Sequence, residues 1–210
     1  MRGPSRLNAI GRSLLPKREL LDELDVLLRR ALRKFIDDVH ARRWRGRELE
    51  SVSLFAHRLA AKAKEGGTLY DSTQVVVGAL VPGVEGINRK RDRNGNLRVN
   101  KDLSVWPTRW GTALGNDWMV SKEPPLAVLE WKVLHPRDTK QRRTEKLREH
   151  QKDIEWITEF SGQYAPVLAF AVLFEIKESA SPRPMRMDSL NVVTTRRGEV
   201  TAPIVYERRS

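Results

Sequence analysis

The stretch Leu126-Ala127-Val128-Leu129-Glu130-Trp131-Lys132-Val133-Leu134 decides how this chain folds. Pro124-Pro125 precede it and Pro136 follows, so it is punctuated at both ends. A run of this length, rich in Val and Leu, reads as a central strand covered on both faces. Strand side chains alternate, so Glu130 and Lys132 share a face and Trp131 takes the other. Charges enter a buried strand when they are paired or hold a metal. The stretch therefore carries either a structural ion pair or a site.

Upstream of it, after an irregular arm over residues 1–16, Leu20, Leu21, Leu24, Leu28, Ala31, Leu32, Phe35 and Val39 recur at helical spacing. They predict one long helix over 17–43, an addition packed on the domain or the seam of a homodimer. The Arg42-Arg43-Trp44-Arg45-Gly46-Arg47 cluster follows, as a phosphate clamp with a stacking Trp or as a solvated helix end. A second helix is expected over 47–64, stopped by Gly66-Gly67, with Leu49, Val52, Phe55, Ala56, Leu59, Ala60 and Ala63 as its stripe. At roughly 100° per residue Glu48 lies on the edge of that stripe and Glu50 points away.

A strand is expected over 74–81, then a basic hairpin turned at Asn94-Gly95. The strand after that turn alternates Leu97, Val99, Leu103 and Val105 against Arg98, Asn100, Asp102 and Ser104, with Lys101 the exception. Downstream of the organising strand come a helix over 142–160 with Leu147, Ile154, Ile157 and Phe160 inside, and an apolar strand over 167–174. A hairpin of 191–195 with 200–206, turned at Arg197-Gly198, closes the chain. The predicted fold is α/β: a mixed central sheet flanked by helices, with an N-terminal helical extension. Its parts are the arm and extension (1–46), the core (47–178) and a tail with a β-hairpin (179–210).

With 210 residues the chain suits one domain of ordinary size. It has no cysteine, which excludes disulfides and Cys-based zinc sites and suits a reducing, cytoplasmic location. No apolar run approaches the roughly 18 residues of a membrane span, and Arg6, Arg12, Lys17 and Arg18 interrupt any signal-peptide h-region. The 39 Lys+Arg against 27 Asp+Glu give a net charge of +12. That balance points to polyanions, nucleic acid ahead of anionic membrane. The four histidines form no HExxH pattern, and no Gly-x-Ser-x-Gly sequence marks a serine hydrolase.

The order helix, strand, strand with Asp102, strand with Glu130-Trp131-Lys132, helix, strand resembles the PD-(D/E)XK nuclease superfamily over about residues 47–175. In that superfamily an Asp on one strand and a (D/E)-x-K on the next meet at one end of a mixed sheet. Asp138-Thr139-Lys140 and Glu175-Ile176-Lys177 also fit the triplet. Asp138, however, sits in a basic loop after a proline, and Glu175 has no acid-bearing strand before it and no helix after it. The resemblance implies a restriction-endonuclease-like fold and Mg²⁺ (or Mn²⁺) held by Asp102 and Glu130, since such ions take oxygen ligands. Lys132 would orient water or stabilise developing negative charge. Glu48, in the helix before the sheet, would support the metal. Gln151 would act from the helix after the motif, where Leu147-Arg148-Glu149-His150-Gln151 followed by Trp156-Ile157 is similar to the virus-type replication-repair nucleases.

Two departures leave the branch open: Glu155 occupies the Tyr place of the RecB-like Gln-x-x-x-Tyr, and Lys101 stands where a Pro precedes the motif Asp. The implied function is Mg²⁺-dependent hydrolysis of nucleic acid, internal cleavage of DNA first. The alternative is a catalytically inactive nucleic-acid-binding module of the same fold. Arg89, Lys90, Arg91 and Arg93 on the hairpin, with Lys140, Arg142 and Arg143 after the strand, would hold the backbone of double-stranded DNA. No membrane partner is expected.

Overall fold

The computed structural model describes residues 17–64, 67–87, 97–107, 124–178 and 186–209. The hairpin turn at Asn94-Gly95, the basic residues Arg89, Lys90, Arg91 and Arg93, and Trp110 and Trp118 lie outside them. Helix α1 spans Lys17–Ala41 and α2 spans Glu48–Ala60. A single 3₁₀ turn, Ser72–Gln74, leads into β1, Val75–Pro82. Then come β2 (Arg98–Val105), β3 (Ala127–Leu134), α3 (Lys140–Gln163) and β4 (Leu168–Glu178). Three more strands close the chain: β5 (Arg186–Arg196), β6 (Glu199–Val200) and β7 (Ile204–Arg209). Among the described residues no helix is long and apolar enough to cross a membrane.

The strands form one mixed sheet in the order β1-β2-β3-β4-β5-β6, with β7 also on β5. β1, β2 and β3 are antiparallel neighbours, β3 and β4 are parallel, and β5 returns antiparallel to β4. Parallel neighbours need a crossover of a dozen or more residues, and α3 is that crossover. The organising stretch is thus the central strand its composition predicts, antiparallel to β2 on one side and parallel to β4 on the other. The C-terminal part is no separate tail: β5 pairs with the whole of β4, so the sheet runs past residue 178, the expected edge of the core. The expected turn at Arg197-Gly198 is present, with both residues at positive φ.

Helices α1 and α2 cover one face of the sheet and α3 the other. Leu21, Leu24, Leu28, Leu32, Phe35, Ile36 and Val39 of α1 are at most 1% exposed. They pack with Phe55 of α2 and with Trp131 and Phe174 of the sheet. The stripe is thus covered within the chain, as expected of an addition packed on the domain. Trp44 is half-buried and packs edge-on to Phe35. On α2 the buried positions are Ser51, Val52, Phe55, Ala56 and Leu59, while Leu49 is exposed. On α3 they are His150, Trp156, Ile157, Phe160 and Ser161, while Leu147 is exposed.

One backbone feature positions the charged end of β2. Val77 pairs with Leu103 and Ala79 with Lys101, and the ladder skips Gly78 and Asp102 between them. Gly78 has φ +67°, a left-handed conformation that suits glycine. Before it, Val75 and Val77 pack on the α1/α2 side with Leu103 and Val105; after it, Ala79 and Val81 pack on the α3 side with Val99. Both strands change face at this point. The regular alternation expected through Leu97, Val99, Leu103 and Val105 is broken, and Lys101 is carried to the α3 side.

Candidate active site

The β2–β3 ladder runs from Val105–Ala127 to Leu103–Leu129 and stops. The next residue of β2 is Asp102. Its Oδ2 accepts the backbone N–H of Trp131 at 2.7 Å, filling the place a backbone carbonyl would take were the ladder to continue. Beyond this bond no further β2–β3 pairing follows, and the charged half of β3 begins there.

Glu130 is 6% exposed and accepts a hydrogen bond from Lys101, itself 6% exposed. The Lys101 ammonium also sits 3.5 Å from the centre of the Trp156 ring, a cation–π contact from α3. Lys132 shares the Glu130 face. Its Nζ lies 3.4 Å from Oε1 of Glu48 and 3.5 Å from Oδ2 of Asp153, and it donates to the Trp131 carbonyl at 3.4 Å. Glu48 opens α2 one helical turn before Val52 and two before Phe55, so the packed stripe delivers it here. Glu50 is exposed and accepts the N–H of Arg47.

Electrostatics bind these groups into one unit. Burial raises the pKa of Glu130; Lys101 opposes this, while Asp102 and Asp153 add to it. Glu48 and Asp153 are also raised, first by burial, with Lys132 partly offsetting and neighbouring carboxylates reinforcing. Burial works against the Lys132 ammonium, but Asp153, Glu48, Asp102 and Glu130 together win and raise its pKa. His150, buried on α3, is pushed down to about 4 by burial and then by Lys132, so it is neutral at pH 7.

Of the residues singled out by sequence, Asp102, Glu130, Lys132 and Glu48 meet. Gln151 does not: it is exposed on α3, roughly 200° around the helix from Asp153. The helix after the motif therefore contributes Asp153, and the assignment of Gln151 is corrected. Asp153 stands four residues before Ile157 and seven before Phe160, so an acid on the inner stripe was its signal. Lys101 is the second residue missed; its break in the β2 alternation was the signal. Among the basic candidates, Lys140 and Arg142 are exposed at the start of α3. Arg143 instead turns inward to Glu175 and to the carbonyl of His135.

Hard divalent ions are commonly held by one or two carboxylates plus water and substrate phosphate. Asp102 and Glu130 match that donor set, and Glu130, its pKa raised by burial and neighbouring carboxylates, has the surroundings a cation relieves. Among the described residues no group of three or more His, Asp or Glu side chains stands ready to hold a metal ion. Glu48 and Asp153 are engaged on Lys132. In comparisons with known proteins, no family model, no curated protein and no solved structure matches the chain.

Proposed function

We propose that this protein is a Mg²⁺-dependent nuclease that hydrolyses phosphodiester bonds within DNA, built on a restriction-endonuclease-like core. The observation that carries the reading is the meeting of Asp102 with Glu130 and Lys132 where β2 and β3 part. The order α2, β1, β2, β3, α3, β4 in a mixed sheet supports it.

Asp102 and Glu130 would hold Mg²⁺ or Mn²⁺. When bound there, the ion supplies Lewis-acid stabilisation of phosphate charge and acidifies water. Lys132 is kept protonated by four surrounding carboxylates, so it serves as a fixed positive charge, not as a base. Its place is beside the negative charge that develops on the phosphate. Glu48 and Asp153 hold the Lys132 ammonium from α2 and α3. Exposed Arg42, Arg43, Lys140 and Arg142 contribute to the +12 charge that draws the nucleic-acid backbone.

One observation favours the second reading, an inactive nucleic-acid-binding module: Glu130 already has an internal cation in Lys101. The two readings part in one experiment. Supercoiled plasmid, single-stranded DNA and RNA are incubated with the protein in Mg²⁺, in Mn²⁺ and in chelator, beside Asp102→Asn. The nuclease nicks or linearises plasmid with either ion, is silent in chelator and loses activity with Asp102→Asn. Retained DNA binding with no cleavage in either ion assigns the module.

A further inference from the structure

We infer that Lys101 is a positioning residue of this site: seated between the Glu130 carboxylate and the Trp156 ring, its ammonium fixes one oxygen of Glu130 so that the other is presented to a divalent cation. The inference rests on the nuclease reading, in which Glu130 is a ligand.

Lysines are almost never fully buried without a partner. Lys101 has two, a carboxylate on β3 and an aromatic face on α3. The contact is also a product of the fold. Had β2 kept its alternation, Lys101 would share the α1/α2 side with Leu103 and Val105, among Phe55, Trp131 and Phe174. The change of face at Gly78 and Asp102 turns it to the Glu130 side instead.

Asp102 shows the same arrangement by a different means. Its Oδ2 is held by the Trp131 N–H, as Oε1 of Glu130 is held by Lys101. Among the described residues, nothing bonds Oδ1 of Asp102 or Oε2 of Glu130. Each carboxylate thus has one oxygen tied to the protein and one left over. Hydrogen bonds of this kind orient ligating carboxylates, and their loss typically lowers metal affinity about 10–100-fold. Lys132 does not duplicate the role, because its ammonium stands against Glu48 and Asp153. The two lysines divide the work: Lys101 orients a ligand, and Lys132 meets the substrate's charge.

The opposite role for Lys101, a competitor sitting where the cation belongs, predicts the opposite sign. Calorimetric titration of the full chain with Mn²⁺, without nucleic acid, decides between them. Lys101→Met should weaken Mn²⁺ binding about 10–100-fold, and Lys101→Arg, which keeps the charge, should restore most of it. Binding by Lys101→Met that equals or exceeds wild type overturns the inference and leaves the nuclease reading standing. A wild type that binds no Mn²⁺ overturns both. Circular dichroism of the metal-free proteins establishes that the variants are folded. If Lys101→Met is not, Trp156→Leu takes its place: removing the ring from beneath the ammonium should weaken Mn²⁺ about threefold or more, and unchanged affinity overturns the inference.

Discussion

Lys132 reaches Glu48 at 3.4 Å, tying the first turn of α2 to the strand that carries the Glu-x-Lys pair. Glu50, two residues on, is exposed and only closes the start of the helix. Glu48→Gln should therefore slow Mg²⁺-dependent cleavage, whereas Glu50→Gln, which can still accept the Arg47 N–H, should leave the rate unchanged and weaken α2 by at most about 0.3–1 kcal/mol through the lost charge at its N-terminus. Initial cleavage rates and thermal melts of the two variants read this out. The reverse pattern would remove Glu48 from the site.

Three substitutions separate ion binding from the chemical step. Asp102→Asn and Glu130→Gln should abolish cleavage and weaken Mn²⁺ binding, while metal-free DNA binding holds or rises because a negative charge facing phosphate is gone. Lys132→Met keeps both ligands, so ion affinity should survive as cleavage falls by about 10²–10³. If Lys132→Met cuts as well as wild type, the motif lies elsewhere. Glu175-Ile176-Lys177, where Lys177 stands 2.8 Å from Glu175, is then next to examine.

Binding to duplex DNA should be strongly salt dependent. Each phosphate neutralised contributes a slope of about −0.9 to a plot of log affinity against log salt. Fluorescence anisotropy between low and physiological salt measures it. A flat response would be incompatible with a backbone-binding surface and with the nucleic-acid reading.

His150 supplies a pH signature of folding. Its pKa is lowered to about 4 by burial, from an ordinary 6.5. Between those values the unfolded chain takes up a proton that the native chain refuses, so stability rises with pH across the window. On moving from pH 7 to pH 5 the wild type should lose about 2 kcal/mol that His150→Leu does not lose. Urea melts of both proteins at the two pH values give the difference, and parallel losses would show that His150 is protonated in the native state.

Gly78→Val should cost about 1–2 kcal/mol from backbone conformation alone, since φ +67° is strained for any residue with a Cβ. Denaturant melts measure it, and an unchanged midpoint would mean that the strand accepts an ordinary alternation. In that case the Lys101–Glu130 contact should be lost with it.

Gly78 also marks the limit of what the chain discloses before folding. The apolar run over 126–134, bracketed by prolines, was enough to place the central strand. An acid on the strand before it was enough to bring Asp102 beside Glu130 and Lys132. Lys101 could be seen only as a break in alternation, because a positive φ leaves no trace but a glycine among valines. Asp153 was hidden for another reason. The inner side of α3 is polar through Arg143, Lys146, His150 and Asp153 before it turns apolar at Trp156, Ile157 and Phe160. Apolar spacing therefore drew exposed Leu147 into the stripe and left the acid out. Gln151 came from the resemblance alone, and it lies on the exposed side of the helix.

The aromatic contacts of Phe35 reach further than the helix that carries it. Its ring stands 5.2 Å from that of Trp131, 5.7 Å from Phe174 and 6.2 Å from Phe55. Trp131 is the residue whose backbone N–H holds Asp102 and whose neighbours are Glu130 and Lys132. A helix that looks like an attachment in the sequence is thus the back wall of the strand that carries the candidate site. Trimming the chain to begin at Arg47 would not isolate a smaller intact core. It would open Phe55 of α2 and Trp131 and Phe174 of the sheet to water and loosen the strand that sets the spacing of the site.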